Sequence, residues 1–147
     1  MTIREAQIED LQQLAPLFNA YRVFYKQPSD IKGAKDFLTC RFKEKDSQIL
    51  VAITNSELVG FTQIYPMFSS VSMQRSYVLN DLYVNDLHRH KKIGEGLLKA
   101  AQQFCKTNNA KGLTLETDTH NPAQKLYERL KWKRDTDVFH YTWTNKT

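Results

Sequence analysis

The sequence predicts an α/β (α+β) fold with one mixed, mostly antiparallel central sheet of about six to seven strands and flanking helices. Strand-like and helical patterns follow one another along the whole chain in the order β-α-α-β-β-β-α-β-α-β-β. The turn Asn55-Ser56-Glu57 joins two apolar runs as an antiparallel hairpin. The strand–helix–strand unit over residues 75–118 instead places its two strands parallel and next to each other.

Five strands are predicted before residue 120, each from an apolar or alternating run that is bounded by turn residues. They cover residues 2–6, 48–54, 58–66, 75–84 and 112–118. Residues 131–144 predict two more strands joined by a turn. With these last two strands, the predicted sheet reaches seven strands.

Four helices are predicted from apolar residues at helical spacing. Asp10 suits the N-cap of the first helix, in which Pro16 predicts a break or kink. Ser29 or Asp30 suits the N-cap of the second helix, which reaches about Phe42. The third and fourth helices cover residues 94–107 and 122–130.

The composition is that of an ordinary globular protein, with 41% hydrophobic and 25% charged residues. The 147 residues fit a single domain over residues 1–147. No apolar run approaches the roughly 18 residues that a membrane helix needs, and the first residues lack a signal-peptide core, so no membrane association is expected. With only Cys40 and Cys105, we expect no disulfide and a cytoplasmic location. The four histidines have no metal-ligand spacing, so no metal site is expected.

The stretch HRHKKIGEGLL, residues 88–98, combines basic side chains with the start of an amphipathic helix. The first amides of a helix lack internal partners, and the helix dipole makes that end positive, so a loop of this kind can bind an anion. Gly94 and Gly96 would let the backbone approach a phosphate. The spacing matches neither the P-loop nor the dinucleotide-binding fingerprint. The loop alone leaves two interpretations open, an anion site and a solvated basic turn.

Several motifs in the same order resemble the GNAT family of N-acetyltransferases over nearly the full length. The acetyl-CoA loop of that family reads Arg/Gln-x-x-Gly-x-Gly/Ala between a strand and a helix. Here Arg89 and Gly94 match it, while Lys92 stands where the first glycine is usual. The stretches LNDLYV before the loop and NPAQKLYERLKWKRD after it also resemble the family, as do YRVFY and IYPMFSS. A left-handed backbone at Lys92 would cost free energy, so the loop conformation is open.

The resemblance implies acetyl-CoA as the acyl donor. Its pyrophosphate would lie on the loop, and its pantetheine arm would pair with the strand before the loop, where a bulge splays that strand from its parallel neighbour. A family asparagine would also contact the cofactor; strict register gives His120, but Asn121 is favoured. The implied cofactor-binding residues are Leu82, Tyr83, Val84, Arg89, His90, Lys91, Lys92, Ile93, Gly94, Glu95, Gly96, Asn121 and Tyr127.

Three residues are candidates for proton transfer. Tyr127 matches the family tyrosine that would protonate the leaving thiolate, although its place on an apolar stripe also fits core packing. Asp81 or Glu116 would accept the proton of the amine, directly or through water. Structural roles stay open for both carboxylates, and an amine that is already neutral would need no base.

The acceptor is expected to be a primary amine of a small molecule or a peptide. The end of the first helix and a neighbouring strand end would contact it through Tyr21, Arg22, Tyr25 and Tyr65. Aromatic rings suit a cation, and Arg22 suits a carboxylate on the acceptor. Two alternatives are a catalytically idle acetyl-CoA-binding protein and a basic nucleic-acid-binding module. The 16 acidic residues are spread among 21 basic ones, so no nucleic-acid partner is expected. Edge strands at the C-terminus would allow a homodimer.

Overall fold

The computed structural model describes residues 1–146. These residues form five strands and four α-helices, with short 3-10 helices at Ile8–Asp10 and Asp86–His88. The strands are β1 (Thr2–Glu5), β2 (Gln48–Thr54), β3 (Glu57–Ser69), β4 (Gln74–Val84) and β5 (Leu113–Thr114). The helices are α1 (Leu11–Phe24), α2 (Ile31–Glu44), α3 (Ile93–Thr107) and α4 (Gln124–Arg129).

The chain divides into two compact units. The first, Met1–Glu116, contains the whole sheet with α1, α2 and α3, and the second begins at Thr117 and contains α4. The strand order is β1-β2-β3-β4-β5. The first four strands are antiparallel neighbours, and β4 and β5 are parallel. The predicted mixed α/β fold with one parallel pair is confirmed, but the described sheet has five strands rather than six to seven.

The missing strands lie towards the C-terminus. β5 covers Leu113–Thr114 rather than residues 112–118, and residues 131–144 form no strand. The alternation of Phe139, Tyr141 and Trp143 is typical of a strand, but these rings are exposed and their segment joins no ladder within residues 1–146. A strand needs an edge with which to pair, and a local pattern cannot supply that edge.

The predicted starts of α1 and α2 agree with the structure, whereas the predicted break at Pro16 does not. α1 passes unbroken through Pro16, because its buried apolar face packs against the core along both halves. Asp10 occupies the N-cap position of α1, but its carboxylate forms an ion pair with Arg4 instead of capping α1. Of the two predicted N-caps of α2, Ser29 and Asp30, the structure has Asp30, whose Oδ1 accepts the Gly33 amide at 2.9 Å.

Helices cover both faces of the sheet. Adjacent residues of a strand point to opposite faces. The ring of Phe61 on β3 lies 6.0 Å from the ring of Phe18 on α1, whereas a side chain at Gly60 would meet Ile93 on α3. Thus α1 and α2 enclose one core and α3 covers the other face. The buried stripe of α3 consists of Ile93, Leu97, Leu98, Ala101 and Cys105. Across residues 1–146, no helix has the length and apolar character needed to cross a bilayer.

Candidate active site

A β-bulge in β4 sets the geometry of the site. On β3, Gln63 is paired with Asp81, and the next residue, Ile64, is paired with Leu79. Asn80 is therefore an extra residue on β4. A bulge bends its strand and increases the local twist, so β4 changes direction here.

The parallel pair separates at this bulge. The β4–β5 ladder consists of the pairs Tyr77–Leu113 and Val78–Thr114. Beyond it, residues 79–84 of β4 pair with β3 alone within the described part of the chain. Glu116 is exposed and lies beyond the end of β5, so the prediction that it lies on the parallel strand is wrong. The pairing ends early because the bulge turns β4 away from β5.

Arg89 anchors the loop between β4 and α3. Its Nε donates to the Val84 carbonyl at 3.1 Å, and its second guanidinium nitrogen lies 2.9 Å from Oδ1 of Asp86. The guanidinium also lies over the rings of Phe24 and Tyr83, 5.5 and 5.6 Å from their centroids. Arg89 therefore ties the loop to the ends of β4 and α1.

The left-handed residues of this loop are not glycines. His90 and Lys92 have φ values of 62° and 61°, and no glycine in residues 1–146 has a positive φ. Lys92, with ψ of 20°, is the N-cap of α3 and adopts the conformation for which glycine is best suited. For a residue with a β-carbon this conformation costs about 1–2 kcal/mol.

The start of α3 has the features of an anion site. The Gly96 amide donates to the Lys92 carbonyl at 3.0 Å, so the amides of Ile93 and Gly94 precede the helix ladder. Lys92 supplies no side-chain cap to them. Lys91 and Lys92 are exposed and adjoin these amides in the chain. Amides, helix dipole and lysines together suit a phosphate group.

Two glycines let α3 lie close to the sheet. A β-carbon at Gly60 would lie 3.0 Å from the Tyr83 carbonyl oxygen and 3.3 Å from Cγ2 of Ile93. A β-carbon at Gly96 would lie 2.7 Å from Cδ1 of Ile3. Gly96 therefore has a packing role against β1, whereas its predicted place beside a ligand stays a prediction.

An open pocket of about 380 Å³ lies where α1 and α2 meet β3 and β4. Aromatic rings make up much of its lining, and both residues of the bulge contribute polar groups. The lining residues are Phe18, Tyr21, Arg22, Asp30, Gly33, Ala34, Phe37, Tyr65, Asn80 and Asp81. Three of the predicted acceptor contacts, Tyr21, Arg22 and Tyr65, thus share one pocket with Asp81. Tyr25 is not part of this lining, and its ring packs edge-on against Tyr21 at 5.1 Å.

Asp81 is buried, with 2% of its surface exposed. Its Oδ2 accepts a hydrogen bond of 2.6 Å from Gln63 Nε2. Its Oδ1 accepts hydrogen bonds of 2.7 Å from Asn80 Nδ2 and 3.3 Å from the Tyr21 hydroxyl. All three donors are neutral, and the ion pairs within residues 1–146 do not include Asp81. The carboxylate is hydrogen-bonded without being neutralised.

Burial raises the pKa of Asp81 above its usual value, and the hydrogen bonds it accepts oppose that rise. Burial, and after it the charge of Asp81, raises the pKa of Tyr21, and the same two causes raise the pKa of Tyr65 to about 12. Both hydroxyls therefore stay protonated near neutral pH. A carboxylate with a raised pKa is a better general base than an exposed aspartate.

Tyr127 lies on α4 in the second unit, and residues just after the C-terminal end of the same helix contact it. Lys131 has φ of 68°, its amide donates to the Glu128 carbonyl, and the Trp132 amide donates to the Tyr127 carbonyl. This is a Schellman helix end, in which the residue after the left-handed one packs back on the helix. The Trp132 ring accordingly lies 6.1 Å from the Tyr127 ring.

His120 and Asn121 differ in what they bond. Oδ1 of Asn121 accepts the Ala123 amide at 2.9 Å, just before α4, and Asn121 is half-buried. His120 is exposed, and its amide donates to Oδ1 of Asp118 at 2.8 Å. The choice between them as a cofactor contact stays a prediction. Within residues 1–146, no three His, Cys, Asp or Glu side chains are grouped so as to hold a metal ion.

The chain combines a split parallel pair with a basic strand–loop–helix beside it, which is the arrangement that the resemblance to acyltransferases of mixed α/β fold implies. A family model described as the acetyltransferase (GNAT) family matches residues 12–132. The chain therefore belongs to the GNAT family of acetyltransferases, as the resemblance of its motifs predicted.

Known relatives agree with this family over nearly the whole chain. The chain is 50% identical over 142 residues to an uncharacterized N-acetyltransferase, YhfO, of Bacillus subtilis (strain 168), which covers 96% of this chain and 95% of that protein. It is 29% identical over 132 residues to a probable acetyltransferase of Haemophilus influenzae, covering 89% and 87% of the two chains. A crystal structure of a probable acetyltransferase has a TM-score of 0.94 and 37% identity, covering 100% of this chain and 99% of that one.

Sequence reasoning missed Gln63. It is fully buried on β3 and hydrogen-bonded to Asp81, and the only signal was a polar residue within the apolar run LVGFTQIYP. It also missed the contribution of α2 to the pocket, through Gly33, Ala34 and Phe37. No local pattern indicates which strand a helix will face, so this contribution could not be read from spacing.

Proposed function

We propose that this protein is an acetyl-CoA-dependent N-acetyltransferase that acetylates a primary amine of a small molecule or a peptide. The observation that carries the proposal is the position of Asp81. It is a buried carboxylate in an aromatic pocket, at the bulge where β4 separates from β5. Family membership supports acyl transfer, and this pocket supports an amine as the acceptor.

The loop before α3 suits the phosphates of acetyl-CoA. The amides of residues 90–96 and the exposed Lys91 and Lys92 would bind them. The open edge of β4 would pair with the amides of the pantetheine arm. The backbone of Tyr83 faces β3, and the Val84 carbonyl already accepts a hydrogen bond from Arg89, which leaves this pairing to the backbone of Leu82 and the Val84 amide. When bound, acetyl-CoA would supply the thioester that donates the acetyl group.

The aromatic pocket would receive the amine. The rings of Tyr21 and Tyr65 suit a cation or an apolar substituent, and Arg22 would suit a carboxylate on the acceptor. Asp81 would take a proton from the amine, directly or through one water. Glu116 is the weaker candidate for this base, because it is exposed and lies beyond the end of β5.

Tyr127 would give its proton to the leaving thiolate, so one proton is taken up at Asp81 and one is released at Tyr127. Exchange with solvent would restore both groups.

Asn121 would contact the cofactor near α4. Cys40 and Cys105 are both free thiols, which suits the cytoplasmic location that we expect.

Calorimetric titration with acetyl-CoA, followed by a panel of amines and peptides with detection of free thiol, tests this proposal. We expect saturable binding that weakens as salt is raised, and thiol release with only some of the amines. An absence of acetyl-CoA binding at moderate salt would contradict the proposal. Binding without turnover of any amine or peptide would instead indicate a catalytically idle acetyl-CoA-binding protein.

Asp81→Asn tests the assignment of the base. We expect kcat/KM for the acceptor to fall by about 100-fold or more, with the Kd of acetyl-CoA unchanged. Asp36→Asn is the matched control, because Asp36 is exposed on α2, pairs with Lys32 and is not part of the pocket lining. Equal activity of Asp81→Asn and Asp36→Asn would remove Asp81 from the mechanism.

A further inference from the structure

Gln63 is a fully buried polar residue beside the proposed base. It lies on β3 directly opposite Asp81 at the bulge, and its exposed fraction is 0%. A buried primary amide needs partners at both ends. Its Nε2 donates to Oδ2 of Asp81 at 2.6 Å, and its Oε1 accepts the hydroxyl of Ser47 at 2.8 Å. Gln63 therefore links β4 to the residue that precedes β2.

Asp81 determines which end of the amide faces it, because a carboxylate can only accept and the NH₂ end of Gln63 is the donor. The hydroxyl of Ser47 donates to Oε1 and so satisfies the other end of the amide. A flipped amide would set Oε1 against Oδ2 of Asp81, two acceptors without a proton between them. The carboxylate disfavours that arrangement, and the Ser47 hydrogen bond holds the amide in place from its other end.

We propose that Gln63, held in place by Ser47, is a positioning residue that holds Asp81 in its anionic form and aims it into the acceptor pocket. The proposal rests on the proposed function, in which Asp81 is the base. Gln63 is not part of the pocket lining, so it acts through Asp81 and not on the acceptor.

The hydrogen bond from Gln63 is the shortest of the three that Asp81 accepts. It opposes the effect of burial, which raises the pKa of Asp81. No cation forms an ion pair with Asp81 among the described residues, so neutral donors stabilise its charge. The titratable and charged groups that face the same pocket are Tyr21 and Arg22 from α1, Asp30 before α2, and Tyr65 from β3.

Gln63→Met keeps the length of the side chain and removes its donor. The test measures the pKa of Asp81 by carboxyl ¹³C NMR in the free protein, together with the pH dependence of kcat/KM for the acceptor. We expect the pKa of Asp81 to rise by about one unit or more, because a hydrogen bond to a buried charge is lost. The acidic limb of the activity profile should move to higher pH by the same amount, with the Kd of acetyl-CoA unchanged.

Ser47→Ala is a second, milder variant, and we expect a smaller shift in the same direction. Gln13→Met is the matched control, because Gln13 accepts the Leu58 amide at 2.9 Å and does not contact Asp81. It should lower stability without moving the pKa of Asp81. If Gln63→Met does not fold, Ser47→Ala decides the question alone.

Two outcomes separate this proposal from the proposed function. An unchanged pKa of Asp81 in both Gln63→Met and Ser47→Ala would overturn the positioning role and leave the proposed function standing. Full activity of Asp81→Asn would overturn Asp81 as the base, and with it the catalytic part of the role given to Gln63.

Discussion

The hydroxyl of Tyr21 lies 3.3 Å from Oδ1 of Asp81, although the two residues are 60 positions apart in the chain. The same hydroxyl lies 3.3 Å from the carbonyl oxygen of Asn80, so it contacts both residues of the bulge. The Tyr21 ring packs edge-on against Phe61, with centroids 5.7 Å apart. Core packing therefore sets the direction in which α1 presents a phenol to the carboxylate of β4.

Tyr21→Phe removes this donor while keeping the ring. The pKa of Asp81 should rise, because a neutral hydrogen bond that favours its charged form is lost. We expect kcat/KM for the acceptor to fall about three- to tenfold near neutral pH and to recover at higher pH. The measurement is the pH dependence of kcat/KM. Tyr141→Phe, at an exposed tyrosine in the second unit, is the control; an identical profile for both variants would contradict the prediction.

Gly60→Ala should lower stability and weaken acetyl-CoA binding together. Its β-carbon would press on the Tyr83 carbonyl, which is backbone and cannot rotate away, and on Ile93 at the start of α3. Overpacking of this kind costs about 1–3 kcal/mol. A shift of α3 would also move the amides that we propose bind phosphate. The free energy of unfolding and the Kd of acetyl-CoA are the measurements.

Gly112→Ala is the control for Gly60→Ala. A β-carbon at Gly112 would have no heavy atom within 4 Å, so the substitution should leave both quantities nearly unchanged. Equal stabilities of the two variants would show that α3 can move away from β3 at little cost.

Local signals explain why much of the fold was predictable. β2 was predicted at its observed bounds, because its apolar, β-branched run ends in a clear turn. The N-cap of α2 is predictable to within one residue, as Ser29 or Asp30, since an N-cap depends only on the first turn of its own helix. The residues that determine elements of this kind lie within a few positions of each other in the chain.

Features that depend on distant partners were not predictable. The length of β5 depends on the bulge at Asn80, which ends the pairing with β4. The hydrogen bond between Gln63 and Asp81 joins two strands and has no local signature. The left-handed backbone of Lys92 could not be predicted from the sequence either, because lysine rarely adopts a positive φ. In each case tertiary contacts override the local preference.

Asp10→Asn should lower stability at neutral pH but not at low pH. Arg4 forms hydrogen bonds of 2.7 and 2.9 Å with Asp10 and holds the pKa of that carboxyl below its usual value. Because the folded-state pKa is depressed, the pair contributes stability above the unfolded pKa, roughly 3.9, and this contribution is lost as the pH falls through the folded-state pKa. We expect a difference of about 1–2 kcal/mol at pH 7, measured by urea unfolding.

The exposed pair of Lys32 and Asp36 is the comparison for this effect. Its side chains are 88% and 65% exposed, so Asp36→Asn should not change stability measurably at any pH. A pH-independent loss in Asp10→Asn would mean that the hydrogen-bond geometry of the two Asp10 oxygens, and not the charge of Asp10, stabilises the N-terminal turn.

Lys92→Gly separates the backbone of the loop that we propose binds acetyl-CoA from the charge of that loop. Glycine adopts φ near 61° without strain, so the free energy of unfolding should rise by up to about 1 kcal/mol. The Kd of acetyl-CoA should nevertheless increase about three- to tenfold at low salt, and this difference should shrink at high salt, because a cation beside the phosphates is lost. Lys45→Gly is the matched control, since Lys45 also has a left-handed backbone, with φ of 53°, at the end of α2. It should give a similar gain in stability with no change in Kd. Tighter binding by Lys92→Gly would show that strain in the loop, and not the lysine charge, governs its affinity for acetyl-CoA.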